Sequence, residues 1–198
     1  MDSQYFASLL LFVFSVSVTP GPNNLMVTAS GGNFGYWRTL PHIIGISVGF
    51  MMLLIAVGAG LGTVFMRFPA LQIALKIVGA IYLLWLAWRI ASAPVSTNGE
   101  VVGKPLSAFQ AFMFQWVNPK GWTMAITAVS AFAMEGAAMV WSLALITGAF
   151  TLVVFPVCSF WALLGQKVSL WLTSERAHRW FNRSLGLLTA LSVVLIVS

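Results

Sequence analysis

The run SQYFASLLLFVFSVSVTPGPNNLMVTASGGNFGYW, residues 3–37, contains no Asp, Glu, Lys or Arg, and carries Pro20 and Pro22 near its middle. A helix crosses a bilayer with about 20 predominantly apolar residues, so this run is long enough to span it. Residues 39–66 and 136–166 are uncharged in the same way. Of the 198 residues, 60% are hydrophobic and 7% charged, where a soluble domain would carry roughly 25% charged residues. Mean hydropathy is +0.93. So few charges cannot clothe a surface that faces water. The chain therefore reads as an all-α integral membrane protein. Soluble enzymes and disordered regulators drop out, as do outer-membrane barrels, which need ten-residue alternation.

Six spans are predicted, at about 5–30, 40–64, 69–91, 108–133, 138–164 and 183–197. Only residues 92–107 and 166–182 are left as longer connections, so residues 1–198 form one transmembrane domain. If the spans alternate, Arg38, Arg89, Lys104, Lys167, Arg176, Arg179 and Arg183 fall on one side, and Arg67 alone on the other. Excess Lys and Arg in short loops marks the cytoplasm, which places both termini outside. The same arrangement explains the net charge of +6 without nucleic acid. The amino-terminal stretch lacks a basic region and a small-residue cleavage site, so it reads as a first span rather than a removable signal. Cys158 is the single cysteine, and no disulfide framework is expected.

The halves echo each other. Val18-Thr19-Pro20 through Thr28-Ala29 aligns with Val117-Asn118-Pro119 through Thr127-Ala128 at a constant offset of 99. Lys76-x-x-Gly79 likewise matches Arg183-x-x-Gly186. An odd number of spans per unit turns the second unit over, which is the inverted-repeat plan of many secondary transporters. The expected fold is thus six transmembrane helices in two inverted three-helix repeats, about 1–91 and 108–198, joined by a loop at 92–107.

Helices 1 and 4 are expected to break at Pro20-Gly21-Pro22-Asn23-Asn24 and at Asn118-Pro119-Lys120-Gly121. Proline has no N–H for the carbonyl four residues back, so Pro20, Pro22 and Pro119 free the carbonyls of Val16, Val18 and Gln115. Bare backbone at mid-membrane is tolerated only against protein or a water-filled cavity. Beyond each break a half-helix starts with unpaired N–H groups and a partial positive charge. Such parts suit a zwitterion: helix N-termini and Lys120 for a carboxylate, freed carbonyls for an ammonium. The candidate substrate-binding residues are Pro20, Gly21, Pro22, Asn23, Asn24, Gln115, Asn118, Pro119 and Lys120. A plain structural kink is the competing reading.

Lys76, about six residues inside span three, is a second coupling candidate after Lys120, although a lysine this shallow can snorkel to the interface. Tyr82 reads as a helix–helix contact. Gly45, Gly49, Ala56 and Gly60 form a small-residue stripe that serves close packing. Trp37, Trp85, Trp88, Trp171 and Trp180 stand near span ends, as an aromatic belt requires. His42 reads as an interfacial residue, and Asn182-Arg183-Ser184 as a fortuitous glycosylation pattern on the cytoplasmic side. No metal cluster, phosphate loop or nucleophile elbow is present in the sequence. No cofactor and no enzymatic activity are expected.

At TPGPNN (19–24), GAIYLLWLAWRI (79–90) and QWVNPKG (115–121), with a Gly-rich second span between, the chain resembles the LysE/RhtB family of bacterial amino-acid exporters. The resemblance covers essentially the whole chain. PGPNN, WLAWRI and FQWVN together are most similar to its cysteine and O-acetylserine exporter branch. The resemblance implies export of small amino acids across the bacterial inner membrane, driven by the proton-motive force. It places the family signature on Pro20, Gly21, Pro22 and Asn23, and on Asn118, Pro119 and Lys120. Exporters of basic amino acids in this family carry an acidic residue in span two; here residues 39–66 have none, which favours neutral substrates.

The expected function is export of a small neutral amino acid, cysteine/O-acetylserine-like or homoserine/threonine-like, with substrate and lipid as partners and homo-oligomerisation left open. A channel-like facilitator of an uncharged solute and a non-transporting accessory subunit are the competing classes. Broken helices disfavour the latter. The acidic residues are Asp2, Glu100, Glu135 and Glu175, all outside the spans. Proton coupling is therefore assigned to Lys120, because a desolvated lysine can release its proton.

Overall fold

The computed structural model describes residues 3–94 and 103–197; Asp2, Glu100 and Ser198 lie outside them. The described chain is helical throughout: α1 (Ser3–Val18), α2 (Pro22–Phe34), α3 (Tyr36–Ala56), α4 (Gly62–Arg67), α5 (Pro69–Ala91), α6 (Ala108–Val117), α7 (Pro119–Phe132), α8 (Met139–Trp171) and α9 (Glu175–Val197). A wider π turn, Val57–Leu61, joins α3 to α4, with Gly60 at φ 106°, which only glycine adopts freely. Among the described residues, three stretches are long and apolar enough to cross a membrane: Tyr36–Arg67, Pro69–Ala91 and Gly136–Trp171. The pair α1 and α2, bent by 57°, makes a fourth if it counts as one span.

Two expectations need correction. Residues 166–182 are not a loop. Helix α8 runs on to Trp171 and α9 already starts at Glu175. Charge stops an apolar pattern but does not stop a helix: the Ser174 hydroxyl accepts from the Ala177 N–H at 3.2 Å, and Glu175 pairs with Arg179 one turn on at 2.9 Å. At 1.5 Å per residue, the 33 residues of α8 span about 50 Å, well past a hydrocarbon core. Pro41 and Pro156 sit inside α3 and α8. Last, Gly60 leaves the small-residue stripe for the π turn and meets nothing within 4 Å.

Close backbone contact at small residues sets the packing, because lipid leaves little hydrophobic drive between helices. Gly45 and Gly49 of α3 lie against the backbones of Ala108 and Phe112 of α6, so α3 and α6 run parallel. Gly31 of α2 lies on Ala162 of α8, and Gly165 of α8 on Thr28 of α2. Gly186 of α9 meets Ala87 and Ala91 of α5. Phe50 packs on Phe150 at 5.1 Å, and Tyr36 on Ser159 at 3.2 Å, which sets α3 antiparallel to α8. The main apolar core lies among α1, α2, α3, α7 and α8. The opposite face of α5 and the Trp37, Trp88, Trp171 and Trp180 rings stay exposed.

Candidate functional site

Between α1 and α2 the chain cannot continue as a helix. Two prolines two residues apart remove two N–H donors, and Gly21 is extended at φ −172° and ψ 179°. The Asn24 side chain supplies donors to two neighbouring carbonyls instead. Its amide donates to the Ser17 carbonyl at 2.9 Å and to the Thr19 carbonyl at 3.0 Å. A residue preceding proline is pushed out of the helical region, and Asn118 accordingly sits at φ −88° and ψ 103° between α6 and α7. The Gln115 carbonyl, expected to be free, instead accepts a long bond from the Asn118 N–H at 3.4 Å.

The two breaks meet. The Asn23 amide donates to Gln115 Oε1 at 2.8 Å, and Gln115 Nε2 returns a bond to Asn23 Oδ1 at 3.2 Å and another to the Ala111 carbonyl at 2.9 Å. Lys120 Nζ, at the start of α7, donates to the Thr19 carbonyl at 2.8 Å. The same lysine passes so close to Gly21 that a Cβ there would stand 2.9 Å from its Cδ and Nζ. Glycine at that position lets the cation reach the backbone of the first break.

A cavity of about 40 Å³ opens between them, lined by Gly21, Pro22, Asn23, Asn24, Asn118 and Lys120 among the expected residues. At ~10–15 Å³ per water it has room for a few waters and for nothing larger. Pro20 is exposed and does not line it, Gln115 is fully buried behind Asn23, and Pro119 packs near Gly79 of α5. Lys76 is exposed on α5 and lines neither this cavity nor the next. Tyr82 stacks on Phe114 at 5.2 Å. Two polar atoms facing this region have no partner: Ser17 Oγ and Asn118 Oδ1, both buried. Ser17 was invisible to spacing arguments, because one serine in an apolar run looks like any other.

A larger cavity, about 280 Å³, lies at the other end of α2, between α2, α5 and the segment leading into α6. Its buried wall is Met26, Ala29, Ser30, His42 and Leu86; its exposed rim includes Trp88, Arg89 and Lys104. His42 is not interfacial, as expected, but 1% exposed. The distal ends of α2 and α9 are tied beside it by a reciprocal amide pair, Asn33 with Asn182, at 2.9 and 3.0 Å. That bond also removes Asn182 from any glycosylation site.

Residues 14–198 match the family described as LysE type translocator. The chain belongs to that family. This LysE-type translocator is 29% identical to the cysteine/O-acetylserine efflux proteins of Salmonella paratyphi A and of Escherichia coli K12, over 98% of this chain and 96% of each relative. The protein of that name from Shigella flexneri is 29% identical over 92% of this chain and 90% of its own. No solved structure matches. Family and apolar helices together make the chain a multi-pass membrane translocator.

Proposed function

We propose that this chain is a secondary exporter of a small neutral amino acid, of the cysteine or O-acetylserine type, from the cytoplasm to the outside. The observation that carries the reading is the meeting of both helix breaks around one small polar cavity, with Lys120 Nζ on the Thr19 carbonyl. Lys120 and the α2 and α7 N-termini would take the carboxylate, and Asn118 Oδ1 and Ser17 Oγ the ammonium. The cysteine and O-acetylserine named for these relatives support the amino-acid class.

The architecture belonging to this reading is six spans in two inverted three-helix repeats, with α1–α2 and α6–α7 as the broken spans. Helix directions support it: α3 parallel to α6 and antiparallel to α8. The basic end, with Arg38, Arg89 and Lys104, faces the cytoplasm of the bacterial inner membrane. The wider cavity opens to that end. Toward the other end, Phe12, Phe132, Phe50 and Phe150 pack over the core. That is a closed, cytoplasm-facing arrangement, and the Asn23–Gln115 pair must part for substrate to enter the central cavity.

Coupling runs through Lys120. Among the described residues no carboxylate lies at depth: Glu135 and Glu175 are exposed at helix ends. The test is uptake into proteoliposomes by counterflow of labelled O-acetyl-L-serine, beside uptake driven by a pH jump. Saturable counterflow in the wild type, and Lys120→Gln exchanging without pH-driven accumulation, are the expected results. Absence of counterflow with solute still equilibrating would make the chain a channel-like facilitator. Full pH-driven uptake in Lys120→Gln would eliminate Lys120 as the carrier.

A further inference from the structure

We propose that the 280 Å³ cavity at the basic end is a second binding site for the amino-acid zwitterion, with Arg89 and Lys104 holding its carboxylate and Ser30 and His42 its ammonium. This deepens the transport reading above and rests on it: the site would load substrate from the cytoplasm before it reaches the central cavity.

The cavity is polarised. At its rim stand two cations, and among the described residues no carboxylate lines it. The only ion pair among the described residues joins Glu175 to Arg179, so no described carboxylate pairs with Arg89 or Lys104; Arg89 rests over the Trp85 ring at 5.1 Å. At its buried wall stand acceptors. Both ring nitrogens of His42 are buried without a hydrogen-bond partner. A buried polar group left unpaired is costly and calls for a cause, and a neutral imidazole always offers one acceptor nitrogen.

Ser30 adds a second acceptor by elimination. Thr39 Oγ1 donates its hydrogen to the Gly35 carbonyl at 2.9 Å. The 2.8 Å contact between Ser30 and Thr39 must then be donated by Ser30, which leaves lone pairs on the Ser30 oxygen free. Cations at the rim, with the Ser30 oxygen and one ring nitrogen of His42 accepting at the buried wall, match a zwitterion. The volume stands close to the ~300 Å³ lower end of small-molecule pockets. Met26, Leu86 and Trp88 supply apolar wall for a short side chain.

The test uses the full chain in nanodiscs, with O-acetyl-L-serine as probe and 2-aminoethyl acetate, which lacks the carboxylate, as competitor. Equilibrium dialysis should find two sites per chain in the wild type, one in Arg89→Gln/Lys104→Gln, and one in Lys120→Ala. In proteoliposomes, the double variant should raise the KM from the basic side by roughly tenfold, the scale of a lost charge-assisted hydrogen bond, and the KM from the opposite side by far less. His42→Leu should also lose one site; because that substitution also changes buried packing, the two exposed rim residues carry the decision. One site in the wild type overturns the proposal, as does 2-aminoethyl acetate competing equally well. A wild type that binds two molecules but shows no counterflow overturns the transport reading and leaves this site standing.

Discussion

Replacing Gln115 by Leu tests the contact on which the central site depends. Gln115 is fully buried and makes three side-chain hydrogen bonds: two with Asn23 and one to the Ala111 carbonyl. The substitution keeps an apolar volume in place but strands the Asn23 amide, whose bonds to Gln115 are the side-chain bonds it makes here. An unsatisfied polar group costs about 1–3 kcal/mol. Asn23 is half-buried and lines the cavity, where water can partly replace Gln115, so the lower part of that range, ~1–2 kcal/mol, is expected. Asn23→Leu strands the fully buried Gln115 instead and should cost more, ~2–3 kcal/mol. The double variant strands neither amide, because removing both partners can be nearly neutral. Its destabilisation should fall short of the sum of the singles by about 3 kcal/mol, the upper end for residues in contact. Reversible unfolding in mixed micelles gives the three stabilities, and counterflow gives activity. The expected pattern is recovered stability in the double variant with transport lost in all three. Additivity within about 0.5 kcal/mol would mean the pair does not interact. Wild-type counterflow in the double variant would remove Asn23 and Gln115 from the transport route.

Gly165→Ala should prevent assembly, since its Cβ would stand 2.0 Å from the Thr28 carbonyl oxygen and α2 and α8 would have to part by about 1.4 Å to reach an ordinary 3.4 Å contact. Size-exclusion profiles of the solubilised protein check this; Gly21→Ala, which meets only the mobile end of Lys120, should keep the folded peak, and equal profiles for Gly165→Ala and wild type would refute the packing argument. In a Cys158→Ser background, a cysteine at Thr173, in the short turn between α8 and α9, should resist an impermeant thiol reagent in intact cells. A cysteine at Ala137, at the other end, should react, and the reverse pattern would invert the proposed direction of transport.

Much of this architecture was legible along the chain because its causes are local. The span predicted at 69–91 has the bounds of α5, Pro69–Ala91, since proline starts it and the apolar run ends where the chain leaves the helix. The breaks at Pro20–Pro22 and Asn118–Pro119 follow from missing N–H donors and from the restriction on a residue before proline. Charge was a poorer guide. It suggested a loop at 166–182, where a capping serine and an i,i+4 ion pair instead carry α9 back to Glu175. Pro156, chemically the same as Pro119 but without an Asn before it or a Gly nearby, leaves α8 intact.

What the sequence by itself determined is membrane residence, the number of apolar runs and the places where a helix must open, all consequences of composition and backbone chemistry within a few residues. Tertiary structure alone decided what those openings face. Asn23 and Gln115 are 92 residues apart, and no periodicity says that their amides bond, that Lys120 reaches Thr19, or that Lys76 stands away from both cavities. The same holds for His42. An isolated histidine on an apolar helix has the same sequence signature at an interface as against a cavity; its burial, and the absence of any partner for its ring, come from how α3 packs against α2 and the chain leading into α6.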